Sequence, residues 1–205
     1  MWQVFSLNSC ATMTDWVNLA LQGIRVCPSR QTSAKRSSTN DTEEFIINNN
    51  DILRRVRYTF DFSDQTMLDI FKLGGKGVSK ADLGAWLAHE GEATFDLCED
   101  QLLARFLNGL IIKNRGPKSD GIPEPEAVLN NNMILRKLKI ALDLQADELL
   151  AILQLSEFTL SKHELSAMFR RADHKNYREC LDQVLRNFLD GMTKHYRGNH
   201  LKARS

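Results

Sequence analysis

The chain has 205 residues, 42% of them hydrophobic and 26% charged, with 27 basic against 26 acidic side chains. That is globular composition, which excludes wholesale disorder, and the near-zero net charge excludes a strong overall field for a polyanion. No apolar run approaches the ~18 residues of a membrane-spanning helix, and four cysteines in this length do not make a disulfide scaffold.

Residues 1–44 stand apart from the rest. Positions 1–40 hold Arg25, Arg30, Lys35 and Arg36 against the single acid Asp15, and the stretch from Ser29 to Thr42 is rich in Ser and Thr. That polar stretch has too few apolar groups to offset the entropy of ordering it, and residues 1–44, which have no counterpart in the rest of the chain, are expected to form a largely disordered N-terminal extension. An upstream translation start would produce one. Scarce acids beside Arg and Ser also suit a transit peptide, whereas the apolar piece from Trp16 to Ile24 is too short and broken for a secretory core.

An internal repeat organises the remainder of the chain. Asn48-Asn49-Asn50-Asp51-Ile52-Leu53-Arg54 recurs as Asn130-Asn131-Asn132-Met133-Ile134-Leu135-Arg136, so that residue n aligns with residue n + 82. The alignment runs without a gap from 48–116 to 130–198, through pairs such as Asp61/Asp143, Ser79/Ser161, Cys98/Cys180, Asp100/Asp182 and Gly109/Gly191. Apolar residues recur at spacings of three and four, so each copy predicts four short helices. The first carries Ile52, Leu53, Val56 and Phe60, the second Met67, Leu68 and Phe71, and the third Leu83, Trp86 and Leu87. The fourth carries Leu102, Leu103, Phe106, Leu107 and Leu110. Ser79 and Ser161 each precede an acid by three positions, the signature of a capped helix start. All four prolines fall outside the repeats, where none costs a helix ~3 kcal/mol.

The expected organisation is an extension at 1–44, repeat 1 at 45–116, a Pro- and Gly-rich linker at 117–129, repeat 2 at 130–198 and a basic tail at 199–205. A unit near 60 residues is marginal alone. The expected fold is therefore all-α: two tandem four-helix repeats packed with approximate two-fold symmetry around one core.

The Asn-Asn-Asn-Asp-Ile-Leu-Arg-Arg-Val-Arg-Tyr opening, Leu107-Asn108-Gly109-Leu110-Ile111 and Asp173-His174-Lys175-Asn176-Tyr177-Arg178-Glu179-Cys180 carry a family likeness. Through them the chain resembles the YehS-like family of bacterial tandem-repeat proteins, from residue 47 to about 196. The resemblance implies a bacterial cytosolic protein with two copies of a helical domain of unknown function. It implies no activity, and it does not extend to the first 45 or so residues.

Candidate chemistry is sparse. Leu73-Gly74-Gly75-Lys76-Gly77-Val78-Ser79 lacks the spacing of a phosphate loop, and its glycines suit a helix end with positive φ. Cys98 and Cys180 precede the fourth helices, where a helix N-terminus could activate a thiol or packing could bury it. Gly109 and Gly191, inside helices, signal close approach, with the inter-repeat contact as one place for it. No metal ligands appear at a recognisable spacing, no cofactor is expected, and no nucleophile–base pair marks an enzyme.

The most unusual stretch is His174, Lys175, Asn176, Tyr177 and Arg178, in the loop before the last helix. The first copy has Glu92, Ala93, Thr94, Phe95 and Asp96 there, so this polar loop is the part not duplicated. A phosphate or carboxylate would suit it; so would a purely structural role. The favoured expectation is a cytoplasmic interaction or regulatory module that binds a protein partner through this loop and the inter-repeat groove. The alternative is a nucleic-acid binder using a helix-turn-helix-like second and third helix with Arg54, Arg55, Arg57, Arg136, Lys137 and Lys139 on the first helices.

Overall fold

The computed structural model describes residues 47–117, 119 and 121–202. The N-terminal extension lies outside the described residues, as do the side chains of the basic tail. Eight helices and no strand elements occur among the described residues. Repeat 1 holds α1 (Asn49–Phe60), α2 (Asp64–Leu73), α3 (Lys80–Leu87) and α4 (Asp100–Arg115); repeat 2 holds α5 (Asn131–Ala141), α6 (Ala146–Leu155), α7 (Lys162–Met168) and α8 (Asp182–Lys202).

The helix starts follow from the residues in front of them. Asn48, Ser63, Ser79, Asn130 and Ser161 each accept a hydrogen bond from a first-turn amide, which satisfies one of the donors a helix start leaves free. Ser79 with Asp82 and Ser161 with Glu164 form reciprocal capping boxes, as their spacing predicts. α2 ends with Gly75 at φ 82°; its counterpart Glu157 takes φ 59° without being a glycine.

The two copies share one core. Its fully buried side chains include Phe71, Phe106, Leu53 and Leu110 from repeat 1 and Leu135 and Phe188 from repeat 2. Each such side chain contributes roughly 1.5–3 kcal/mol by leaving water. Within a repeat the last helix packs on the second, α4 on α2 and α8 on α6. Between repeats the contact is reciprocal: α1 packs on α8 and α5 on α4. The first helix of each copy is thus covered by the last helix of the other, which is the approximate two-fold arrangement.

The glycines mark a different seam from the inter-repeat one. A Cβ on Gly109 would lie 1.9 Å from the Ile70 carbonyl oxygen, and one on Gly191 would lie 2.0 Å from that of Ile152. The close approach is therefore α4 on α2 and α8 on α6, inside each repeat.

Candidate functional site

Three asparagines open each repeat, and the structure gives each its own task. Asn48 and Asn130 cap the helix. Asn50 is fully buried, and its side-chain amide donates to the carbonyls of Trp86 (2.9 Å) and Asp96 (2.8 Å) while its oxygen accepts the Cys98 amide (3.0 Å). Asn132 repeats the set with Met168, Arg178 and Cys180. Asn has two donors and an acceptor to offer, and its partners are a backbone carbonyl at the end of the third helix and two backbone groups of the loop that follows it. The clasp pins that loop in both copies.

Asn49 and Asn131 reach the start of the last helix of their own repeat. Asn49 donates to Asp100 Oδ1 at 2.7 Å, and Asp100 Oδ2 accepts the Leu129 amide at 2.9 Å. Asn131 donates to Asp182 Oδ1 at 2.6 Å, and Asp182 Oδ2 accepts the Ile47 amide at 3.4 Å. Each aspartate thus ties the start of its own repeat to the chain entering the other one.

Beside each knot the inter-repeat seam opens into a groove. The α1/α8 groove, of about 440 Å³, is lined by Ile47, Asp51, Arg54, Arg55, Tyr58 and His89 of repeat 1 and by Arg186 and Leu189 of repeat 2. Its cations are partly engaged. Arg54 donates to the Ala88 carbonyl and pairs with Asp51 at 2.6 Å, whereas Arg55 faces Asp190 at 3.6 Å with about two-fifths of its side chain exposed. Arg197 stacks over the Tyr58 ring at 3.7 Å. The α4/α5 groove, of about 310 Å³, is its pseudo-symmetric partner, with Met133, Arg136, Lys137 and Ile140 at the positions of Asp51, Arg54, Arg55 and Tyr58. Ile111, Ile112 and linker residues Gly121, Pro123 and Glu126 complete a more apolar lining. Duplication made two grooves, and substitution has made one cationic and one greasy.

The polar loop predicted as a contact surface lies in the open. His174, Lys175, Asn176 and Arg178 are exposed and Tyr177 is half-buried. Its backbone repeats that of the first copy: Tyr177 and Arg178 amides donate to His174 and Ala167, as Phe95 and Asp96 amides donate to Glu92 and Ala85. The side chains pair locally. His174 Nδ1 accepts the Asn176 amide at 3.1 Å, and Arg178 pairs with Glu164 at 2.8 Å.

The six basic residues of the first helices do not form one array. Arg54 and Arg55 line the α1/α8 groove and Arg136 and Lys137 the α4/α5 groove. Arg57 pairs with Asp64 at 2.6 Å, Arg136 donates to the Phe169 carbonyl at 2.6 Å, and Lys137 pairs with Glu126 at 2.9 Å. Lys139 is half-buried in the last turn of α5.

Cys98 and Cys180 are buried free thiols. Burial pushes both up to about 12, reinforced by the nearby carboxylates of Asp100 and Asp182 respectively. Burial outweighs the helix N-terminus, so these are packing residues and not activated nucleophiles. No cluster of three or more His, Cys, Asp or Glu that could hold a metal occurs among the described residues. No described helix is long and apolar enough to cross a membrane.

Tyr58, His89 and Arg186 carry no functional signal in the sequence. Groove residues from α1 and α8 stand more than 120 positions apart, and no local pattern joins them. The clasp had a signal: a polar residue on the apolar side of a helix start, kept in both copies.

These features define a class: an all-helical protein built by tandem duplication of one four-helix unit. The family described as "Protein of unknown function (DUF1456)" matches it twice, over residues 49–116 and 131–198. The chain belongs to that family. It is 46% identical over 145 residues to "Uncharacterized protein YehS" of Escherichia coli (strain K12), a match spanning 70% of this chain and 92% of the relative. No solved structure matches it.

Proposed function

We propose that this is a cytoplasmic interaction module that binds and does not catalyse, and that the α1/α8 groove takes an anionic group of a protein partner. One observation carries the reading: Arg54, Arg55 and Arg186 converge from both repeats on one groove, where Asp51 stands against Arg54 and Asp190 lies 3.6 Å from Arg55. Guanidinium groups hold carboxylates through paired, charge-assisted hydrogen bonds. Arg55 is placed to do so, because its separation from Asp190 exceeds hydrogen-bonding distance and an incoming carboxylate can displace that contact. Tyr58 beside it offers an apolar ring with a polar tip, which suits protein surfaces.

The test is titration of the full-length, isotope-labelled chain with poly-glutamate and, as control, poly-lysine, followed by amide shifts. Poly-glutamate shifts centred on Arg54, Arg55 and Tyr58, reduced by Arg55→Ala and restored by Arg55→Lys, are expected. Shifts elsewhere, or equal shifts with poly-lysine, overturn the reading. Tighter binding of single-stranded DNA than of poly-glutamate, falling steeply with salt, replaces the protein partner with a nucleic acid.

A further inference from the structure

The two grooves are copies of one design, and in the greasy copy the linker builds one wall. In the α4/α5 groove the chain from Pro123 to Glu126 runs without helix or turn. Pro123 and Pro125 fix their own φ and disfavour helical backbone at Glu124 between them, so the segment from Pro123 is stiffened before it docks. Asn108 donates to the Pro123 carbonyl at 3.4 Å, Glu126 sets a carboxylate oxygen 2.9 Å from Lys137 Nζ, and the Leu129 amide closes on Asp100.

The α1/α8 groove keeps the parts that hold a carboxylate. Arg55 stands where Lys137 does, Arg54 where Arg136 does, and the Ile47 amide closes on Asp182 as Leu129 closes on Asp100. It also gains charge, since Arg186 occupies the position of Ala104. The amide contact is not kept. Asp190 stands at the position of Asn108 and pairs with Lys194 at 2.9 Å, so it cannot donate to a passing carbonyl. Recognition there is left to carboxylates against guanidinium groups.

We infer that the α1/α8 groove seats an extended acidic peptide segment of a partner protein, with a glutamate against Arg55 as Glu126 sits against Lys137. The inference rests on the binding reading above and sharpens it, from an anionic group to an acidic strand laid along the seam. The segment lies in the open groove without folding, and its glutamate displaces the long Asp190 contact at Arg55.

The experiment uses the full chain and a fluorescein-labelled peptide copying residues 121–129, Gly-Ile-Pro-Glu-Pro-Glu-Ala-Val-Leu, read by anisotropy at low salt. Saturable binding is expected, weakened about tenfold or more by Arg55→Ala and by glutamine at the peptide's second glutamate, and largely recovered in Arg55→Lys. A scrambled peptide of the same composition should bind at least several-fold more weakly. Equal binding of the scrambled peptide overturns the extended register while leaving the poly-glutamate result, and hence the groove, standing. No response to either peptide or poly-glutamate overturns both. Glu43 and Glu44 stand just before Ile47 in the sequence. Peptide binding seen only in the Glu43→Ala/Glu44→Ala chain would assign the groove to this chain's own acids and overturn a partner in trans.

Discussion

The side-chain oxygen of Asn50 accepts the backbone N–H of Cys98 at 3.0 Å, and the same asparagine's two amide hydrogens go to Trp86 and Asp96. One buried side chain therefore holds three backbone groups, at the end of α3 and in the loop after it, that lie 36 to 48 positions away. An unmet buried polar group costs ~1–3 kcal/mol, so this contact matters more for what its loss would leave behind than for its own strength.

Asn50→Ala strands an amide and two carbonyls in the core. The expected loss is about 3 kcal/mol or more in urea unfolding, with Asn132→Ala close behind. Asn50→Asp should fare little better, since a carboxylate keeps the acceptor for Cys98 but turns both donors into repulsion against two carbonyls. A loss under ~1 kcal/mol in either alanine variant would contradict the clasp.

Gly109→Ala inverts a familiar rule. Inside an exposed helix the change gains ~1 kcal/mol. Here the added methyl meets the Ile70 carbonyl, which as backbone cannot swing aside. The two helices must separate, at a cost of ~1–3 kcal/mol or more, and Gly191→Ala should match it because Ile152 stands in the same place. Thermal unfolding of the two variants checks both.

Thiol chemistry provides a third check. With both thiols pushed up to about 12, neither Cys98 nor Cys180 holds useful thiolate at pH 8. In a chain carrying Cys10→Ser and Cys27→Ser, a thiol reagent should find both sites inert until denaturant is added, then titrate two. Rapid reaction of the folded chain would show a reactive site.

The acid limb of stability should report the caps. Hydrogen bonds from the Ser79 and Ser161 side chains, and then from their backbone amides, hold the carboxyls of Asp82 and Glu164 below the usual range. A folded-state value below the unfolded one adds stability above the ordinary carboxylate range of ~4 and loses it as pH falls through the lowered value. Asp82→Asn with Glu164→Gln should therefore flatten the pH dependence of the urea midpoint in that window and nowhere else.

The polar loop can be tested without damaging the fold. The Arg178–Glu164 pair is exposed, and such pairs contribute ~0–1 kcal/mol. His174→Ala with Arg178→Ala should shift the unfolding midpoint little. Unchanged partner recovery would then remove the loop as a contact surface, and loss of recovery would place it beside the groove.

The repeat, the helices and the capping boxes were legible because each is written locally, in spacings of three, four and n + 82. Ser79 with Asp82 is an example: three positions suffice to state it. The Gly109 contact was half legible. A costly residue in a helix announces close approach but not the neighbour, and the neighbour is Ile70 of the same repeat, not the other copy. A helix start favours a thiolate at Cys98, and that much is visible locally; the burial that opposes it comes from helices distant in the chain. The groove was least legible, because Arg55 and Arg186 meet only after α8 closes over α1. The loop at His174 to Arg178 stood out because its side chains differ between copies, whereas its backbone turns are the same in both.

The reciprocal packing also sets an order of events during synthesis. α1 is the first described helix to leave the ribosome, and its cover, α8, is the last. A nascent chain must carry the apolar side of that helix uncovered while more than a hundred further residues are made. Closure of the α1/α8 seam therefore waits until both repeats have been made, which makes it the step at which chaperones have time to intervene.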